Sequence, residues 1–289
     1  MFGVPDFSYS LGCFNESVQK TLALWNRENW SEKFWRGDPS LWSGVDEDHW
    51  VGWLNAVETQ FGLCDDLTQI AGEIRKAGFE DLLILGMGGS SLCSEILGKI
   101  FGRVKDYPNL HVLDSTVPAQ IIRIAGKVNL KSTLCVVASK SGTTLEPNTL
   151  CDYFWQEISA VKGEPCGANF VAITDPGSEL EFRARKGKYR YTFWGVPQIG
   201  GRYSALCNFG MVPAALIGID LKVFIKQTER MVRRCGPDVP VEENPGVVLG
   251  VILGELARAG CDKVTLVLSY ISNPNNPDVL DISIKDDEF

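Results

Sequence analysis

A chain of 289 residues, 45% hydrophobic and 22% charged, has room for one large domain or two medium ones, and its composition excludes disorder, collagen-like repeats and low complexity as global descriptions. The net charge of -8 argues against a general nucleic-acid binder, which would carry a basic face, and leaves room for a local cationic pocket for a small anion. The nine cysteines include no C-x-x-C pair and there are two histidines, so a Cys/His zinc site is not expected and reduced thiols in a cytoplasmic protein are.

The N-terminus, Met1-Phe2-Gly3-Val4-Pro5-Asp6, has neither the basic start nor the apolar run of a signal peptide. Phe14, Val18, Leu22 and Trp25 recur at helical spacing, with Asn15 as the candidate cap. Six of the eight tryptophans fall before residue 54, which reads as helices sealing their own domain or as an interface. Leu67 to Lys76 continues as helix and ends near Gly78.

From residue 81 short apolar runs alternate with helical segments. The runs are Asp81–Gly86, His111–Asp114, Leu134–Ala138 and Phe170–Ile173; the helices are Leu92–Phe101, Pro118–Gly126 and Leu145–Ile158. Strands buried on both faces and separated by helices imply a parallel α/β sheet, whose ligands bind at the carboxyl ends of the strands. Farther on, Val247 to Leu253 is the most apolar stretch and falls far short of the ~20 residues of a membrane span, so no membrane partner is expected.

The strand ends carry the chemistry. Gly86-Met87-Gly88-Gly89-Ser90-Ser91 follows the first strand and opens a helix, a place where backbone approaches a ligand and N–H groups favour an anion. It matches neither G-x-G-x-x-G nor the Walker A pattern, and a tight structural turn reads equally well. Ser139-Lys140-Ser141-Gly142-Thr143-Thr144 follows the third strand, and four hydroxyls before a helix exceed what capping needs, which points to an uncharged phosphate cradle. Thr174-Asp175-Pro176-Gly177-Ser178 ends the fourth strand, with Ser178 and Glu181 as a capping box and a structural role. Ile199-Gly200-Gly201-Arg202-Tyr203-Ser204 places an arginine behind two glycines, suited to holding a phosphate or an anionic intermediate.

These three loops, Gly86–Ser90, Ser139–Thr144 and Gly200–Ser204, occur in the order and spacing of the phosphoglucose isomerase family. The chain resembles most the isomerase moiety of bacterial bifunctional transaldolase/glucose-6-phosphate isomerases, from about residue 5 to Ser269, including Pro5–Gly12, Val196-Pro197-Gln198 and Ala215–Gly218. The resemblance implies a sugar isomerase (SIS) three-layer α/β sandwich preceded by a helical arm. It also implies interconversion of glucose 6-phosphate and fructose 6-phosphate, the glycolytic and gluconeogenic step, through a cis-enediolate with no metal or other cofactor. Gly88, Gly89 and Ser90 would contact the sugar; Ser139, Ser141 and Thr144 would hold the phosphate, with Lys140 in the same loop; Lys140, Thr143 and Gly201 would also be substrate-binding; Arg202 would be catalytic, stabilising the enediolate. That division is physically sensible, because an enediolate needs a positioned base and a fixed positive charge.

On this resemblance residues 1–78 are a Trp-rich arm, 79–235 a first SIS subdomain, 236–269 the helix (Pro245–Ala259) and first strand (Lys263–Ser269) of an incomplete second, and 270–289 a divergent acidic tail. The family's glutamate base, ring-opening histidine and later lysine have no matching positions. Glu255, His49 and His111 are not transferred to those roles. The expectation is an incomplete isomerase chain, inactive or weak alone. The alternatives are a non-catalytic sugar-phosphate-binding module, or an interaction fragment. Hexose 6-phosphate is the expected small-molecule partner, and a homodimer or association with a transaldolase or missing-half chain the expected assembly.

Overall fold

The computed structural model describes residues 8–265. The expected tail from Tyr270, the greater part of the strand Lys263–Ser269 and the start of Pro5–Gly12 lie outside the described residues. In chain order the main elements are α1 (Asn15–Arg27), α2 (Trp30–Trp35), α3 (Ala56–Lys76), β1 (Asp81–Gly86), α4 (Leu92–Phe101), β2 (Asn109–Leu113), α5 (Pro118–Ala125), β3 (Thr133–Ala138), α6 (Leu145–Lys162), β4 (Phe170–Thr174), α7 (Glu179–Lys186), β5 (Tyr191–Trp194), α8 (Asn208–Leu216), α9 (Leu221–Arg234) and α10 (Pro245–Arg258).

Residues 49–225 form one compact unit around a five-stranded parallel sheet of order β2-β1-β3-β4-β5. Period-two alternation sends Leu82, Ile84, Leu134, Val136, Val171 and Ile173 to one face, where they pack with Leu67 and Ile74 of α3, Leu97 of α4 and Met211 and Val212 of α8. It sends Leu83, Leu85, Cys135, Val137, Phe170 and Ala172 to the other face, against Ile124 of α5, Leu150, Phe154 and Ile158 of α6, and Leu180 of α7. The result is the expected three-layer α/β sandwich. Helix α3, which begins well before Leu67, belongs to this unit by its packing, although the sequence reading placed it within an arm over 1–78. The fifth strand, Tyr191–Trp194, escaped the sequence reading: it is four residues long and edge-placed, with only Phe193 buried.

Of the described residues, 8–48 and 226–265 belong to the second unit. Val18 and Leu22 of α1 pack there with Val248 and Val251 of α10 and with Val241. Asn15 does not cap α1: a short 3-10 turn, Gly12–Phe14, runs into the helix, and Asn15 is its first residue. The cap of α10 is Asn244, whose side chain accepts from the Val247 amide at 3.0 Å. Trp35 donates from its indole to the Cys235 carbonyl at 2.8 Å, and Trp25 to the Ser31 hydroxyl at 2.9 Å, so both of these tryptophans serve their own unit.

Among the described residues no helix is long and apolar enough to cross a membrane. His111 sits within β2, its Nε2 2.9 Å from the buried Asp81 carboxylate, so it ties β2 to β1 at the end of the sheet away from the glycine-rich loops.

Phe154 is fully buried at the centre of the α6 face. Phe154→Ala is expected to lower unfolding free energy by about 3–5 kcal/mol, measured by urea denaturation of the full chain.

Candidate functional site

The strand order puts the topological switch point between β1 and β3: from β1 the chain adds β2 on one side and β3, β4 and β5 on the other. Gly86 and Ala138 are register partners at the ends of these two strands, so the two loops that follow start side by side. A Cβ on Gly86 would lie 3.1 Å from the Ala138 and Ser90 carbonyl oxygens, which is why the chain can turn there at once.

After β1 the chain makes a single 3-10 turn, Gly88–Ser90, before α4 begins at Leu92. Gly88 has a φ of +53°, and a Cβ on Gly89 would lie 2.0 Å from the Gly201 carbonyl oxygen. Gly89 therefore lets the first loop touch the Gly201–Leu206 turn backbone to backbone. The buried Ser204 hydroxyl lies between them, 2.6 Å from the Gly201 oxygen and 3.1 Å from the Gly89 oxygen. Tyr203 stacks on Trp53 with ring centroids 5.5 Å apart, and Gly52 donates to the Gln198 carbonyl at 3.1 Å beside the Val51–Ile199 bridge. Arg202 rides on this braced turn, exposed and with no ion pair among the described residues.

The loop after β3 is organised by its own hydroxyls. Ser139 is buried; its Oγ accepts from the Gly142 amide at 3.2 Å and donates to Thr144 Oγ1 at 3.3 Å. Ser141 Oγ accepts from the Thr143 amide at 3.2 Å and lies 2.9 Å from Thr143 Oγ1, and both side chains are exposed. Gly142 has a φ of +73°, and a Cβ there would lie 2.5 Å from the Leu180 amide nitrogen. Thr144 occupies the N-cap of α6 without a side-chain capping bond. The first amides of an 18-residue helix are thus left to another acceptor, beside three hydroxyls.

Lys140, expected in the phosphate loop as a substrate-binding residue, turns its side chain into the protein. Its ammonium meets the Asp175 carboxylate, donates to the Pro197 carbonyl at 3.0 Å and the Val196 carbonyl at 3.4 Å, and lies 5.9 Å from the Trp50 ring centroid. All three N–H donors are engaged inside the protein, so the side chain has none to offer a ligand. Sequence reasoning missed Asp175 as the partner. The one legible signal was a lone acid ending the fourth strand, next to the strand that bears the lysine.

Ser178 accepts from the Glu181 amide at 3.1 Å, as a capping box requires; Glu181 returns to the Gly177 amide at 2.6 Å, one residue earlier than the motif prescribes. Glu255 accepts the Thr21 hydroxyl at 3.0 Å and keeps a packing role. Near the loops, burial pushes the Cys93 and Cys207 thiols up to about 11, so neither is a ready nucleophile. A small cavity reaches behind the loops, lined by Ser90, Lys140, Ile199, Gly201, Ser204 and Cys207 among others. The larger concavity, about 440 Å³, runs along β2 past Lys99, Arg103, Leu110 and His111 and includes none of the three loops.

The profile of the phosphoglucose isomerase family matches residues 64–270. A glucose-6-phosphate isomerase of Synechococcus sp. (strain JA-3-3Ab) is 37% identical over 196 residues, covering 65% of this chain and 36% of that protein. The crystal structure of a glucose-6-phosphate isomerase from Chlamydia trachomatis D/UW-3/Cx superposes with a TM-score of 0.55 at 27% identity, covering 68% of this chain and 37% of the other. A hypothetical protein of Thermus thermophilus shares the fold, with a TM-score of 0.69 at 24% identity over 83% of this chain and 55% of its own. The chain thus spans little more than a third of the length of the first two relatives, and by the reach of the family match it belongs to the phosphoglucose isomerase family.

Proposed function

We propose that the strand-end loops bind a hexose 6-phosphate and that this chain carries the phosphate-binding and charge-stabilising part of an aldose–ketose isomerase site. The observation that carries the reading is the meeting of three loops at the switch point of the sheet: the Gly88–Ser90 turn, the hydroxyl-rich loop opening α6, and the Gly201 turn bearing Arg202. Ser141, Thr143, Thr144 and the open amides of α6 offer neutral donors to a phosphate, and Ser139 holds their loop in shape. Gly88, Gly89 and Ser90, with Gly201 against them, present backbone to the sugar.

Arg202 supplies the fixed positive charge. Proton transfer between C2 and C1 of glucose 6-phosphate and fructose 6-phosphate passes through a cis-enediolate, whose negative charge a guanidinium can stabilise as it develops. A base is also required, and it is not assigned to a described residue: Asp175 is neutralised by Lys140, and Glu255 is engaged with Thr21. A complete site needs a carboxylate or other base in addition, and a second-half polypeptide is one source that co-expression can test.

Four measurements test the reading. Isomerisation of fructose 6-phosphate by the purified chain is expected to be weak or undetectable while calorimetry detects hexose 6-phosphate binding; robust turnover would show that the chain holds its own base. Binding with no rate gain on co-expression with a second-half polypeptide would favour a sugar-phosphate-binding module. Ser141→Ala with Thr144→Ala is expected to weaken phosphate-ester binding more than tenfold, ~1.4 kcal/mol; unchanged affinity removes the cradle assignment. In an active assembly, Arg202→Ala is expected to lower kcat more than it raises KM, and a pure KM effect would refute transition-state duty.

A further inference from the structure

Three loops at the carboxyl end of the sheet leave β3, β4 and β5, and a single ammonium joins them; the first of them is the phosphate loop and the last leads into the Arg202 turn. Lys140 belongs to the loop after β3. Asp175, its ion-pair partner, ends β4, and the Val196 and Pro197 carbonyls follow β5. The backbone runs in parallel with this cross-link: the Asp175 amide donates to the Lys140 carbonyl at 3.0 Å, and Gly195 donates to the Thr174 carbonyl at 2.7 Å. Gly200, Gly201 and Arg202 follow three to five residues past Pro197.

The pocket around the carboxylate is shaped for this pair. A Cβ on Gly195 would lie 2.3 Å from Asp175 Oδ1, so glycine is needed for the acid to sit there. Asp175 Oδ1 is buried without a hydrogen-bond partner among the described residues. The carboxylate therefore depends on Lys140 for its compensation, and the lysine side chain, 25% exposed, has spent its donors on the protein.

We infer that Lys140 and Asp175 form a clamp that positions the phosphate loop and the Arg202 turn relative to each other, and that Lys140 acts through this clamp and not as a phosphate ligand. The cradle is then electrically neutral, and the phosphate is recognised by hydroxyls and helix amides alone. This ligand-facing consequence rests on the hexose-phosphate reading above; the clamp itself does not.

The two roles for Lys140 predict opposite behaviour of Asp175. If Lys140 bound phosphate directly, Asp175→Asn would free it and tighten binding. If the pair is a clamp, Asp175→Asn weakens glucose 6-phosphate binding as Lys140→Met does, by about tenfold each, and the double variant loses no more than either single one. The double variant also removes the uncompensated buried charge, so it remains informative where a single variant fails to fold. Calorimetric affinities for glucose 6-phosphate, with melting curves of each full-length variant, give this comparison. Lysine-selective nitrogen NMR gives a second readout that needs no ligand affinity. A clamped Lys140 ammonium yields a solvent-protected signal that is lost in Asp175→Asn and does not move when glucose 6-phosphate is added. Tighter binding by Asp175→Asn, additive losses, an unprotected ammonium, or a Lys140 signal shifted by the ligand would each overturn the inference. If the wild-type chain fails to bind glucose 6-phosphate, the function proposed above falls, and the protected ammonium still decides whether the clamp exists.

Discussion

The structure turns on two parallel strands in register. β1 and β3 end together, Gly86 opposite Ala138, and the chain builds outward from them in opposite directions along the sheet. A crevice at that divergence is a geometric consequence of the strand order. The residues that follow exploit it by being small or hydroxylated. Gly89 lets a third loop come within backbone contact, Gly142 turns under Leu180, and Thr144 leaves the first amides of α6 uncapped. Every part of the candidate site is an answer to the space those two strand ends create.

What could be read from the sequence follows from how local each signal is. β1, β3 and β4 are buried along their full length, so they show as continuous apolar runs; their boundaries were legible to within a residue or so. β5 was not, because a short edge strand with mixed exposure carries no such run. The loops were legible because glycine and hydroxyl residues cluster in consecutive positions. The direction of Lys140 was not, since it is fixed by an acid 35 residues away and by backbone carbonyls more than 50 residues on. Asn15 failed as a cap for a related reason: the preceding 3-10 turn, set by how Gly12–Phe14 folds, had already started the helix. Side-chain type foretold the kind of chemistry, and the pairing of charges across strands decided which residue performs it.

The electrostatics of the loops are economical. The one lysine in the hydroxyl loop is balanced internally, which leaves the exposed Arg202 as the cation on the turns that meet at Gly89 and Gly201. Neutral donors hold a phosphate by geometry and by the helix dipole, whereas a free guanidinium answers to charge that develops elsewhere on the substrate. On the proposed function these two tasks fall to different loops.

The bracing of the Arg202 turn by Val51, Gly52 and Trp53 bears on how the molecule is assembled in time. These residues emerge early in synthesis, and their partners Gln198, Ile199 and Tyr203 lie roughly 150 residues farther along the chain. The sheet strands between them can pair with near neighbours first, but this contact closes a long loop and must come late. The turn that carries the arginine is therefore expected to be among the last parts of the unit to become ordered.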